Sequence, residues 1–225
     1  MKGHLLLFGI ILLLSACKKD DSEIDFGFDY FPLEEGHFVE YDVKLIFHDK
    51  NLNPQHDTTH FRLKTVIGEN YIDNLGRTAK KLYRYSYDIQ TGDLLDQRVW
   101  STLIDEQKRG EVVEENQRKI RLVFAVNEDK KWDVNAYNTE DEEIVYYSKI
   151  GAPKTINGIY MEETTEVFYD NFFSLVDYRK MHETYARGIG LVERNFKDLT
   201  ISNFDTLQIN KGTEVHYKLL SYGKE

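Results

Sequence analysis

Val39-Glu40-Tyr41-Asp42-Val43-Lys44-Leu45-Ile46-Phe47 alternates apolar and charged residues from Val39 to Leu45 and ends on an apolar run. A period of two is the signature of a strand with one buried and one wetted face. The pattern recurs at Phe61-Leu63-Thr65-Ile67, Tyr83-Tyr85-Tyr87-Ile89, Ile120-Leu122-Phe124-Val126 and Val215-Tyr217-Leu219. Between these runs stand Asn74-Leu75-Gly76, Thr91-Gly92-Asp93, Asn157-Gly158 and Lys211-Gly212, residues that tolerate the positive φ of tight turns. Residues 103–118 read as two strands and a hairpin, since Gly110 and poor apolar spacing weaken a helix there. Residues 170–185 are the one helix candidate, with Phe172, Phe173, Leu175, Val176 and Met181 on a possible face and Asp170 or Asn171 as cap. The alternative for that stretch is an irregular crossing.

Fifteen tyrosines and thirteen phenylalanines suit aromatic cross-strand pairs in an antiparallel sheet. The expected class is therefore all-β: an antiparallel meander forming a strongly curved sheet, half-barrel or barrel, with at most one short helix. A two-sheet sandwich is the alternative. Close turn signals and the lack of long crossings favour the meander.

The amino end carries a different signal. Lys2, the apolar run Leu5 to Leu14 and the small pair Ser15-Ala16 read as a secretory leader. The run is too short to span a bilayer, because Lys18, Lys19, Asp20 and Asp21 follow at once. Leu14-Ser15-Ala16-Cys17 resembles the bacterial lipobox, which implies a leader over 1–16, cleavage before Cys17 and acyl chains on that cysteine. More than one chain would anchor the protein durably. Residues 17–29 then form the acylated cysteine and a charged tether, and 30–225 a single β-rich domain. Cys17 is the sole cysteine, so the domain has no disulfide of its own.

The sequence Cys17-Lys18-Lys19-Asp20-Asp21 resembles the export signal of surface lipoproteins in the Bacteroidota. Tyr30-Phe31-Pro32-Leu33 with Gly36, Trp132 to Asn138, and Tyr185 to Val192 are similar to landmarks of uncharacterised lipoproteins of that lineage. The resemblance implies an outer-membrane, lipid-anchored protein exposed on the cell surface, the periplasmic face being the alternative. It implies no activity.

The chain has 29 basic and 39 acidic residues, a net charge of −10, and loss of the leader removes only Lys2 from that count. Such a balance, with no basic stripe, excludes nucleic acid as a partner. It leaves the lipidated Cys17 as the membrane contact.

His48, His56 and His60, with Asp49 and Asp57, place imidazoles and carboxylates close enough in sequence to be candidate metal ligands. The same residues suit a polar hairpin tip around Asn51-Leu52-Asn53-Pro54. Asp133 to Asp141 offers oxygens in the manner of a calcium loop, but Asn138 and Ile144 stand where an EF-hand needs Gly and Glu. No Gly-x-Ser-x-Gly or phosphate-binding glycine loop appears, no free thiol is left once Cys17 is acylated, and no motif calls for a cofactor. Trp100, Trp132 and Tyr137 are the candidate ligand-binding aromatics, with core packing as the competing use of each.

The expected function is accordingly a non-catalytic binding or assembly module of the cell envelope, taking a glycan, lipid or envelope protein. One alternative is a hydrophobic-ligand carrier in a curled sheet. Another is an envelope hydrolase, metal-dependent through the histidines.

Overall fold

A computed structural model describes residues 24–225; Cys17 and the leader, on which the lipid-anchor reading falls, lie outside the described residues. Twelve strands form one antiparallel sheet: β1 (His37–Asp49), β2 (His56–Ile72), β3 (Thr78–Asp88), β4 (Leu94–Ile104), β5 (Arg109–Glu114) and β6 (Gln117–Val123), then β7 (Lys131–Asp133), β8 (Ile144–Ile156), β9 (Ile159–Phe173), β10 (Asp177–Ala186), β11 (Gly190–Ser202) and β12 (Asp205–Lys224). Each strand pairs with its neighbours in sequence, except that β1 and β12 pair with each other and β6 and β7 form the two edges. Those edges approach across the seam: the Ile120 N–H donates to the Val134 carbonyl at 3.0 Å. The all-β curled meander is therefore the observed fold, a nearly closed barrel. Its only helical element among the described residues is the 3-10 turn Phe28–Tyr30.

The local signals explain most of this. Val39, Tyr41 and Val43 are buried on β1, as are Leu63 on β2 and Tyr217 and Leu219 on β12, so these alternating runs face inward. Asn157 and Gly158 turn with positive φ, and so does Gly92.

Two expectations are corrected. Residues 170–185 are not helical but form the ends of β9 and β10 and the turn between them. Cross-strand pairing of Met181 with Asp170 and Tyr185 with Thr165 outweighs the helical spacing, and Phe172, Phe173, Leu175 and Val176 are left exposed at the tip. The Lys211-Gly212 pair lies inside β12, and the turn falls on Asn203-Phe204, both at positive φ. Gly212 is there for close approach: a Cβ would stand 2.2 Å from the Asp198 carbonyl oxygen.

The barrel has a closed end and an open one. Residues 24–36 cross the end where β1 begins, with Tyr30 buried among Leu122, Phe124 and Tyr185. The backbone of Asp29 accepts from Gly188 and that of Phe26 from Val126, tying the segment to the turns at this end. The stretch read as the second half of the tether, from Ile24 to Asp29, thus lies against the fold, because Phe26 and Phe28 stack on each other and Phe28 meets Phe124 edge to face. At the other end the wall is uneven. β1, β2 and β12 have 13, 17 and 20 residues, whereas β5, β6 and β7 have 6, 7 and 3. β4 pairs with β5 only through Ser101 to Ile104, so residues 94–100 have no partner on that side.

Candidate functional site

Cross-strand neighbours share a face, and the row Val39–Thr65–Arg84–Arg98 runs across β1 to β4. Val39 is buried in the core, so Arg84 also points inward. Tyr83, Tyr85 and Tyr87 are thereby turned outward, where Arg62 lies 4.5 Å over the Tyr87 ring. On β11 the same rule places Arg194 opposite Tyr217, facing in.

Below the mouth the interior is filled by a network of charges. Glu183 is fully buried; its Oε2 accepts from the Tyr169 and Tyr185 hydroxyls at 3.0 and 2.6 Å. Its Oε1 accepts from Arg194 at 2.7 Å and lies 3.5 Å from Arg121. Arg121 also pairs with Glu114. Burial would raise the Glu114 carboxyl, but Arg121 and Arg194 outweigh it and hold it near 2. Glu183 is likewise lowered against its burial by Arg194 and Arg121. Burial and the charge on Glu183 push the Tyr169 and Tyr185 phenols up, so they remain donors. With every polar atom of Glu183 engaged, this network is structural.

Arg84 differs. Among the described residues no carboxylate lies within 4.0 Å of it; its contacts are the Trp100 ring, 3.8 Å from guanidinium carbon to centroid, and a long 3.5 Å bond to the Tyr217 hydroxyl. The neighbouring acids are committed elsewhere, Glu114 to Arg121 and Glu115 to Arg98 and the Trp100 indole N–H. Arg84 and Trp100 line both an inner cavity of about 110 Å³ and an outer hollow of about 380 Å³ beside Leu45, Phe61 and Leu95. Trp100 also borders a lateral cleft of about 790 Å³ outside the short wall.

The three aromatics expected to bind ligand separate by position. Trp100 stands at the mouth, and Tyr137 borders the same lateral cleft with its ring 4.8 Å from the Arg109 guanidinium. Trp132 is buried, its indole N–H donating to the Ile120 carbonyl at 3.0 Å and its ring 4.8 Å from Tyr147. It is used in the core.

His48 and His56 face each other across β1 and β2 with Nδ1 atoms 2.7 Å apart, and His48 Nε2 lies 3.1 Å from Glu214. Two nitrogens bound to one tetrahedral zinc would stand about 3.3 Å apart. Here one ring donates to the other. His60 pairs instead with Asp42. Among the described residues no three His, Cys, Asp or Glu side chains are arranged to hold a metal ion. In the 133–141 loop, Asp133 Oδ1 accepts the backbone N–H groups of Asn135 and Glu143.

Sequence reasoning passed over Arg84, Arg98, Arg121, Arg194 and Glu183. A signal existed for two of them, arginine at an inward position of an alternating run, as in Leu82-x-Arg84 and Val192-x-Arg194-x-Phe196.

The chain matches no family model, no curated protein and no solved structure.

Proposed function

We propose that this protein is a non-catalytic binding module of the cell envelope, tethered through an acylated Cys17 and taking its ligand at the open end of the barrel. The observation that carries the reading is the polarity of the fold. The chain enters at the closed end, which residues 24–36 cover, while the hollow lined by Arg84 and Trp100 opens at the other end, near the loops that follow β1 and β3. A protein anchored at residue 17 therefore presents its mouth away from the bilayer. The acidic surface suits an exposed envelope location, and the leader and Lys-Asp stretch suit the outer membrane.

Among the three roles the sequence allows, the interior favours surface binding over enclosed carriage. The inner cavity of about 110 Å³ is well below the ~300–1,000 Å³ of sites that engulf a ligand.

Native protein extracted from membranes tests this reading. Intact-mass analysis is expected to find diacylglyceryl and a further acyl chain on Cys17. Denaturation is expected to release a small molecule from the wild type that is absent from Trp100→Ala. An unmodified thiol would refute the anchor, and release of the same molecule from both proteins would refute the mouth as binding site.

A further inference from the structure

We propose that the mouth binds an amphiphile with an oxyanion head, the head on Arg84 and the apolar body in the hollow beside Leu45, Phe61 and Leu95. This rests on the binding reading above and adds the chemical class of the ligand.

The argument begins with an electrostatic imbalance. Arg84 stands directly opposite Arg98 across β3 and β4, on the inward face. Like charges in that position repel and destabilise the pair of strands. Arg98 is neutralised by Asp96 and Glu115, at 2.7 Å each. Arg84 has no such partner among the described residues, although the chain carries ten more acids than bases. Instead the Trp100 ring packs on its guanidinium, 3.8 Å from guanidinium carbon to ring centroid, and among the described residues only one long side-chain bond, to the Tyr217 hydroxyl, engages its N–H edges. A carboxylate or phosphoryl group accepts two parallel bonds from such an edge, the geometry at which arginine surpasses lysine.

The surroundings define the rest of the molecule. The outer hollow holds about 380 Å³, enough for a small amphiphile. Its wall includes Leu45, Phe61 and Leu95, and Leu95 is more than half exposed on the stretch of β4 that has no partner on its β5 side. An inorganic anion would leave these side chains in water, whereas an alkyl or aryl body covers them.

The test uses the soluble chain from Ser22 onward, which retains all twelve strands and the segment that closes the barrel. Tryptophan fluorescence and titration calorimetry would follow decanoate, decyl phosphate and decanol. Saturable binding of decanoate or decyl phosphate is expected, with decanol about tenfold or more weaker, since a hydrogen bond to a charged group is lost. Whichever anion binds tighter assigns the head group. Arg84→Met is expected to abolish that preference, Arg84→Lys to keep part of it, and Arg62→Met on the outer face to leave it unchanged, each checked by circular dichroism for native folding. Equal affinity for decanol, or full anion preference in folded Arg84→Met, would overturn the proposal while leaving the binding reading intact. Absence of binding by all three amphiphiles would also overturn it, and the ligand released from native protein would then decide the wider reading separately.

Discussion

One carboxylate oxygen of Glu183 takes both the Nε and an Nη of Arg194, at 2.7 and 2.6 Å. Glu183 is entirely enclosed, so this is a buried ion pair. Such pairs seldom add net stability over apolar residues, but breaking one leaves an uncompensated charge in a dry site. Glu183→Gln would strand Arg194 and lose its charge beside Arg121. Urea denaturation is expected to show a loss of about 3–5 kcal/mol. The double variant Glu183→Leu with Arg194→Met should lose clearly less than the two single variants together. Additivity of the singles would mean the two side chains do not act as a unit.

The same physics sets an acid limit. Glu114 is held near 2 because Arg121 and Arg194 outweigh its burial, and Glu193 is held near 2 because His182 and Lys154 outweigh its burial. The His216 hydrogen bond, with Lys197, brings Glu214 to about 2 despite burial. A carboxyl that ionises more readily folded than unfolded binds fewer protons in the native state. Its contribution is complete above the unfolded value of 4.5 and disappears as the pH falls towards 2. Solvent screening discounts these partly exposed pairs, so each group contributes on the order of 1 kcal/mol. The unfolding free energy should therefore be level from pH 7 to about 5 and fall steeply between 4.5 and 2. Glu214→Gln should lie lower at pH 7 and show a shallower fall. A wild-type curve flat to pH 3 would contradict the assignment.

Why the sequence revealed the barrel but not its mouth follows from the pleat. Alternation announces a strand, yet it gives the phase only when one face is plainly apolar. In Val39 to Val43 the charged face is obvious, and the apolar residues are buried. In Leu82 to Tyr87 both faces carry mixed residues, and the eye follows the tyrosines, which the register with Arg62 and Lys64 turns outward. The inward set holds Arg84, a residue that local patterning would place in water. Trp132 and Trp100 look alike in sequence and part only when the seam between β6 and β7 buries one. His48 and His56 meet because the β1–β2 register sets them opposite, and that same register puts His60 across from Lys44. The apolar tip around Phe173 mimics a helix face, since four exposed hydrophobics in a turn have no pattern to betray them.

Register can be tested at a glycine. Gly212 sits in β12 with φ +140°, and a Cβ would press on backbone atoms of Asp198 and Leu199 that cannot swing aside. Gly92 has φ +78° in a turn with nothing within 4 Å. Gly92→Ala should cost about 1 kcal/mol, the strain of left-handed backbone alone. Gly212→Ala should cost about 2–3 kcal/mol by adding overpacking to strain. Thermal melts of the two variants would compare them directly, and equal losses would mean that β11 and β12 are not packed as closely as described.

The direction of the mouth depends on the segment that closes the opposite end. Tyr30 is only 1% exposed, among Leu122, Phe124 and Tyr185, whereas Phe28 two residues earlier is 39% exposed. If residues 24–36 are an integral floor, Tyr30→Ala should behave as a core truncation and cost about 3–5 kcal/mol, while Phe28→Ala costs about 1 kcal/mol. Arg187 ties the same segment through Asp25 and Asp29, but these ion pairs are partly exposed and contribute little on their own. Arg187→Met should thus leave global stability within about 1 kcal/mol and instead speed hydrogen exchange at the Gly188 amide, which bonds to the Asp29 carbonyl. A Tyr30→Ala protein as stable as the wild type would detach the segment from the core. The chain would then be free to leave the barrel in any direction, and an anchor at Cys17 would no longer fix which way the mouth faces.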